Sequence, residues 1–174
     1  MTTEPTSSPN AARLERTYDA PAELVWELLT TAAGLEEWWA PEGFATRVSE
    51  IELKPGGRLR YTMTATAPEQ VAFMRNTGNP LTAELSKTFT EVAPPARLAY
   101  LSRIDFVPGT DPYEHLTTID IEPAGDRTKL VMTIDPLHDE AWTQEYRAHR
   151  SAELDNLKAS ISRRRTAADR SRAS

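Results

Sequence analysis

From Asp139 to Arg165 the chain runs without a single Gly or Pro, and Tyr146, Arg150, Leu154, Leu157 and Ile161 fall on one stripe at helical spacing. Trp142 and Glu153 sit on the flank of that stripe. At the usual rise per residue this predicts a helix roughly 40 Å long, enough to cross a whole sheet. A stripe of that length must be covered by an equally long apolar surface, so the residues before it have to supply one.

They do so by alternation. From Phe44 onward the hydrophobic period changes from helical to two, which predicts strands near 45–53, 57–66, 83–92, 96–106, 114–122 and 128–135. Pro55-Gly56-Gly57, Pro94-Pro95 and Gly125-Asp126 separate neighbouring strands with turn chemistry, and such short links require antiparallel pairs. Ahead of them, Arg13–Tyr18 predicts a short strand and residues 20–29 a helix with Asp19 or Ala20 near the cap and Pro21 in the first turn. A second short helix over 31–39 stops before Pro41. The layout is α+β: a curved antiparallel seven-stranded sheet around a long C-terminal helix, with two short helices after the first strand. One domain over 13–162 is expected, between a polar tail at 1–12 and a basic tail at 163–174, both disordered. An inserted segment over 67–80 predicts a helix at Pro68–Asn76. Its Val71, Phe73 and Met74 require a surface, as a flap on the core, a lid over a pocket or a contact in a homodimer.

Composition removes several function classes. With no cysteine there are no disulfides, thiolate nucleophiles or cysteine-ligated metals, and His115, His138 and His149 form no metal-binding doublet. No metal or cofactor is therefore expected. A net charge of −6 speaks against a nucleic-acid partner, because phosphate neutralisation dominates such binding. No apolar run approaches the roughly 20 residues that span a bilayer, and MTTEPTSSPN carries neither a basic start nor an apolar stretch, so no membrane association and a cytoplasmic location are expected.

Several short segments then occur in a telling order. These are Arg16-Thr17-Tyr18-Asp19-Ala20-Pro21-Ala22-Glu23-Leu24-Val25-Trp26, Leu35-Glu36-Glu37-Trp38-Trp39-Ala40-Pro41 and Lys54-Pro55-Gly56-Gly57-Arg58. Glu91-Val92-Ala93-Pro94-Pro95-Ala96-Arg97-Leu98, Thr128-Lys129-Leu130 and Leu154-Asp155-Asn156-Leu157 follow. Together they resemble the family of homologues of the activator of heat-shock-protein-90 ATPase (AHSA-type), within the START-like (SRPBCC) superfamily. The resemblance implies a helix-grip fold whose cavity, between sheet and last helix, takes small apolar or amphipathic molecules in many relatives. It does not imply one activity: the superfamily includes lipid and hormone carriers, polyketide cyclases and a chaperone-activating domain with a link to stress response. Two departures are visible, His149-Arg150 where many relatives have Gly-Trp, and the insertion around Phe73.

Strand parity names the inward side chains. It selects Leu59, Tyr61 and Met63, then Leu85 and Phe89, then Leu98, Tyr100, Ser102 and Ile104, then His115, Thr117, Ile119 and Ile121, and finally Leu130, Met132 and Ile134. The candidate ligand-binding residues are Trp39, Tyr61, Met63, Phe73, Phe89, Tyr100, Ser102, His115, Thr117, Met132, Tyr146, Arg150 and Glu153. Of Trp38 and Trp39, one is expected to anchor the small helix and the other to border the pocket. His115 reads as a structural rim histidine or as a base, and Arg150 and Glu153, three apart on a helix, as a pair or as ligand contacts. The leading expectation is a binding protein for a small apolar, aromatic or lipid-like molecule. A polyketide cyclase or dehydratase using His115 or Glu153 in acid–base chemistry, and a partner of a heat-shock-protein-90-type chaperone, are the alternatives.

Overall fold

The computed structural model describes residues 10–105 and 107–173. Among them the order is β1 (Ala12–Tyr18), α1 (Ala22–Thr30), α2 (Ala32–Trp38), β2 (Phe44–Ile51), β3 (Arg58–Ala65), α3 (Pro68–Asn76), β4 (Thr82–Ala93), β5 (Arg97–Ile104), β6 (Tyr113–Ala124), β7 (Arg127–Ile134) and α4 (Glu140–Ala173). All seven strands form one antiparallel sheet in the order β1-β7-β6-β5-β4-β3-β2. From β2 to β7 this is an uninterrupted meander, as the short turns demand. The predicted strand over 96–106 ends at Ile104, and Phe106 lies outside the described residues.

Local chemistry explains the elements. Pro21, extended at φ −70° and ψ 156°, caps α1 in place of Asp19 or Ala20, and its carbonyl accepts the amides of Leu24 and Val25. Thr31 caps α2 by accepting the Gly34 amide at 3.0 Å. In the β2–β3 hairpin Gly56 has φ 83°, and a Cβ on Gly57 would lie 2.0 Å from the Glu52 carbonyl oxygen, so this turn requires both glycines. The turn in turn bonds β4: Gly56 N–H donates to the Phe89 carbonyl and Phe89 N–H to the Gly57 carbonyl. Just beyond, a register shift between Phe89 and Glu91 marks a bulge.

The core lies between the concave face of the sheet, the α1–α2 pair and the middle of α4. Val25 and Leu28 from α1, Leu98, Ile119, Leu130 and Ile134 from the sheet, and Leu154 and Leu157 from α4 are all buried in one cluster. Burial of these side chains, each contributing roughly 1.5–3 kcal/mol, is what closes the sheet on the helix. Tyr18 fixes the crossing point, its hydroxyl donating to the Leu154 carbonyl at 2.9 Å. Beside it Arg16 bonds Ser151 and Asp155 of α4.

Two expectations are corrected. Where the sequence predicts a disordered basic tail from 163, α4 continues to Ala173; no Gly or Pro interrupts it, and Arg164 and Arg165 pair with Glu37 and Asp19. The predicted tail residues 1–9 and Ser174 lie outside the described residues. The inserted helix α3 forms as predicted, but no residue of it is buried and Phe73 is 59% exposed. It is therefore no flap on the core. Its Gln70 and the preceding Ala67 lie against Gly43, at the end of β3 away from the core cluster.

Candidate functional site

The middle of α4, around Leu154, Leu157 and Ile161, is packed against the core, and the first half, up to Glu153, stands off the sheet. Between that first half and strands β3, β4 and β5 lies an open cavity of about 480 Å³. Its apolar walls are Trp39, Pro41, Met63, Leu85, Ile104 and Trp142; Tyr61, Lys87, Ser102, Tyr146, Arg150, Glu153 and Asn156 give it polar groups, with Glu42, Arg103, Glu145 and His149 also on its surface. Behind it is a void of about 20 Å³, room for about one water molecule, lined by Phe89, Tyr100 and Met132 among others. Trp39, Lys87 and Glu153 border both spaces and so form the wall between them.

The polar groups belong to two facing rows. On the sheet, Lys87 of β4 pairs in register with Ser102 of β5, and Ser102 with His115 of β6. On the helix, Tyr146, Arg150 and Glu153 follow one face. Glu153 takes a 2.6 Å bond from the Arg150 guanidinium on one oxygen and a 3.1 Å bond from Trp39 Nε1 on the other. Arg150 also lies over the Tyr146 ring, 4.6 Å from its centroid. Burial alone would weaken the Arg150 charge, but Glu153 together with the oxygens of Tyr146, Tyr100 and Tyr61 outweighs it and holds the pKa above the usual range.

Lys87 is the unusual member. It is 5% exposed, donates to Ser102 Oγ at 2.7 Å, and lies 4.9 Å from the Tyr100 ring centroid and 5.7 Å from that of Trp39. No carboxylate lies within ion-pair distance of it among the described residues. Burial acts to lower its pKa, yet the oxygens of Tyr61, Tyr146 and Tyr100 outweigh burial and hold the ammonium above the ordinary lysine range. The converse holds for Tyr146: burial acts to raise its pKa, but the Lys87 and Arg150 cations and a Ser102 hydrogen bond pull it below the usual phenol range. Tyr100, on the far side of Lys87, is pushed up to about 12 by burial.

With this geometry in place the comparisons are informative. Residues 19–161 match the family model described as Activator of Hsp90 ATPase homolog 1-like protein. The chain belongs to this family. Its fold is the one expected for the family, and solved structures agree. A protein from Chromobacterium violaceum is similar over 87% of this chain and 96% of its own, with 24% identity and a TM-score of 0.67. The AHSA1 protein from Silicibacter pomeroyi covers 87% of this chain and 97% of its own, at 19% identity and TM-score 0.68. A protein from Arthrobacter aurescens covers 92% of this chain and 93% of its own, at 19% identity and TM-score 0.68. At these identities the likeness is one of fold. Among curated proteins none matches significantly.

Within this family fold the candidate residues separate. Trp39, Tyr61, Met63, Ser102, Tyr146, Arg150 and Glu153 come together around the cavity, and Trp38 is the anchor, its Nε1 donating to the Leu28 carbonyl at 2.7 Å. Phe89, Tyr100 and Met132 face the small void instead, because the Lys87–Trp39–Glu153 wall stands in front of them. Phe73 is on the exposed insertion and touches neither space. Thr117 is fully buried one row deeper, paired with Tyr100 and Ile134.

His115 also lies outside the cavity lining. It is buried edge-on against the Tyr146 ring, 4.9 Å between centroids, and its Nε2 hydrogen donates to the Asp135 carbonyl at 2.5 Å. Burial depresses its pKa and keeps the imidazole neutral, and the ring does not border the cavity. Sequence reasoning passed over Lys87, Asn156 and the mouth residues Pro41 and Glu42. For Lys87 a signal exists: parity puts Leu85 and Phe89 inward, and Lys87 lies between them on the same face. Among the described residues no cluster of His, Asp and Glu is placed to hold a metal, and no helix is long and apolar enough to cross a membrane.

Proposed function

We propose that the protein binds a small, predominantly apolar or aromatic molecule in the cavity between β3–β5 and the first half of α4. The observation that carries this is the space itself. At about 480 Å³, with apolar walls and a few convergent polar groups, it has the size and lining of small-molecule sites, which run from about 300 to 1,000 Å³. Trp39 and Trp142 line it, so occupancy changes tryptophan fluorescence.

Two measurements test this. Native mass spectrometry of protein purified from its own host should show a retained compound, and neutral probes such as 2-naphthamide and decanamide should quench tryptophan fluorescence saturably. Met63→Trp, which fills one wall, should abolish the quench while leaving thermal unfolding cooperative. Absence of a retained compound together with no saturable binding of either probe counts against the reading.

One observation favours a second reading, acid–base catalysis of the cyclase or dehydratase kind. Tyr146 lines the cavity and is acidified by two cations, which suits a phenol that donates a proton to a developing enolate. Glu153 is committed to Arg150 and Trp39, so Tyr146 takes the role the sequence gives to His115 or Glu153. Turnover of a candidate polyketide-like substrate that survives unchanged in Tyr146→Phe sinks this version.

A further inference from the structure

We propose that the cavity selects a small monocarboxylate, with its anionic head against Lys87 and its apolar body along Met63, Leu85, Ile104 and Trp142. The inference deepens the binding reading above and rests on it.

The cavity holds a positive charge that is left over. The deep part of the cavity carries two cations, Lys87 and Arg150, and one carboxylate, Glu153. Glu153 is taken: its two oxygens are bonded to Arg150 and to Trp39 Nε1. That leaves Lys87, whose contacts are a hydroxyl and two ring faces, none of them an anion. Buried charges are ordinarily paired, because an ammonium removed from water is costly without an opposite charge. Only one of the three Lys87 hydrogens is used by Ser102, so two remain for a ligand.

A second donor points the same way. Arg150 Nε is buried and has no acceptor, although the same guanidinium bonds Glu153 and Tyr146 through its other nitrogens. Lys87 Nζ and the buried Arg150 Nε thus each keep a cationic N–H without an acceptor, and a carboxylate head held by Lys87 supplies the negative charge that this end of the cavity lacks.

The carboxylates at the edge do not supply it. Glu145 is 64% exposed and beside His149, and Glu42 is exposed, so water screens both. Their placement favours a ligand that enters with its head leading and leaves no second negative charge at the mouth, hence a monoanion. The walls around the remaining volume are apolar or aromatic, which fits an aryl or alkyl body equally, and the probes separate these two.

The test uses matched acids and amides on the full-length protein at neutral pH: 2-naphthoic acid with 2-naphthamide, and decanoic acid with decanamide. In the wild type, at least one acid should bind about tenfold or more tightly than its amide, the scale of a charge-assisted bond in a desolvated site. In Lys87→Met that preference should vanish, with amide affinity retained. Retained amide binding shows that the variant is folded, and the wild-type acid-to-amide ratio is read without any variant. Equal affinity of acid and amide in both pairs overturns the carboxylate assignment while leaving the cavity reading intact. A preference that survives Lys87→Met overturns the role of Lys87, and failure of all four probes to bind overturns the cavity reading together with this one.

Discussion

Leu154, Leu157 and Ile161, on the later part of α4, are buried in the core cluster, whereas Tyr146, Arg150 and Glu153, on the part before them, border a cavity of about 480 Å³. Both parts belong to one straight run of sequence and both oppose the same sheet. What differs is the chemistry facing across the gap. Branched aliphatic side chains opposite other aliphatics interdigitate to crystal-like density. Opposite the first half stand Lys87 and Ser102, and there the helix presents groups that hydrogen-bond one another and hold the layers apart. The middle of the helix is therefore held by close packing, and the part before it borders an open space.

The sharpest way to break this comparison is to shave one side chain in the packed region and one in the wall of the cavity. Leu157→Ala removes a fully buried side chain and should destabilise by about 2–5 kcal/mol in urea unfolding. Met63→Ala only enlarges a space that is already open to water, and should lose less than about 1 kcal/mol. Equal losses would show that the cavity wall is as tightly packed as the core.

Within the cavity half the polar residues should themselves divide. Glu153→Ala leaves Arg150 without its carboxylate and Trp39 Nε1 without an acceptor, and should lose about 3 kcal/mol. Lys87→Met, which removes a cation that has no carboxylate partner and replaces it with a side chain of similar length, should stay within about 1 kcal/mol of the wild type. The same chemical denaturation series measures both. A large loss for Lys87→Met would mean that its hydroxyl and ring contacts hold the sheet together, and that the residue is structural.

Much of this division was legible in the sequence. The stripe on α4 and the strand parity placed Tyr61, Ser102, Arg150 and Glu153 facing inward, and Trp38 and Trp39 divided as expected. Parity placed Lys87 inward as well, but lysine is so rarely buried that composition argued against its own position. Depth was not legible: period two says which face a residue takes, not how far along the sheet the helix stands away, so Phe89, Tyr100, Thr117, His115 and Met132 were assigned to a cavity that begins one layer nearer the helix. Phe73, Val71 and Met74 gave an apolar signal with no partner in sequence to say where it would go. The end of α4 was illegible for a simpler reason, since no Gly or Pro marks a stop before Ala173.

A pH series sharpens the boundary between the halves. Burial against the Tyr146 ring, with a smaller push from Lys87 and Arg150, holds the native pKa of His115 below the ordinary 6.5, although its bond to the Asp135 carbonyl acts to raise it. Above about pH 6.5 both native and unfolded imidazoles are neutral, and the group is indifferent. As pH falls below 6.5 the unfolded chain takes up a proton that the native one resists, so stability drops until the depressed native pKa is reached. His115→Gln, which cannot charge, should flatten that part of the profile. An unchanged slope between pH 6.5 and 5 would place the imidazole in contact with water, and so extend the cavity behind Tyr146.

The smallest effect belongs to the stretch of α4 beyond the core, which surface ion pairs fasten to the rest of the molecule. Arg164 reaches Glu37 at 2.6 Å, and Ser160 donates to the same carboxylate at 2.8 Å, but the arginine is 38% exposed and the pair is open to solvent. Arg164→Ala should therefore lose no more than about 1 kcal/mol, and less at high salt. The Arg164 hydrogen bond holds the Glu37 carboxyl below its usual pKa, so its contribution is complete above about pH 4.5 and fades as pH falls toward the native value. The difference between wild type and variant should shrink correspondingly when unfolding is repeated near pH 3.5. Hydrogen exchange gives the stricter comparison: in Arg164→Ala the amides after Ser162 should exchange faster while those of Leu154 and Leu157 stay protected, because surface charge fastens the end of the helix whereas buried aliphatics hold its middle.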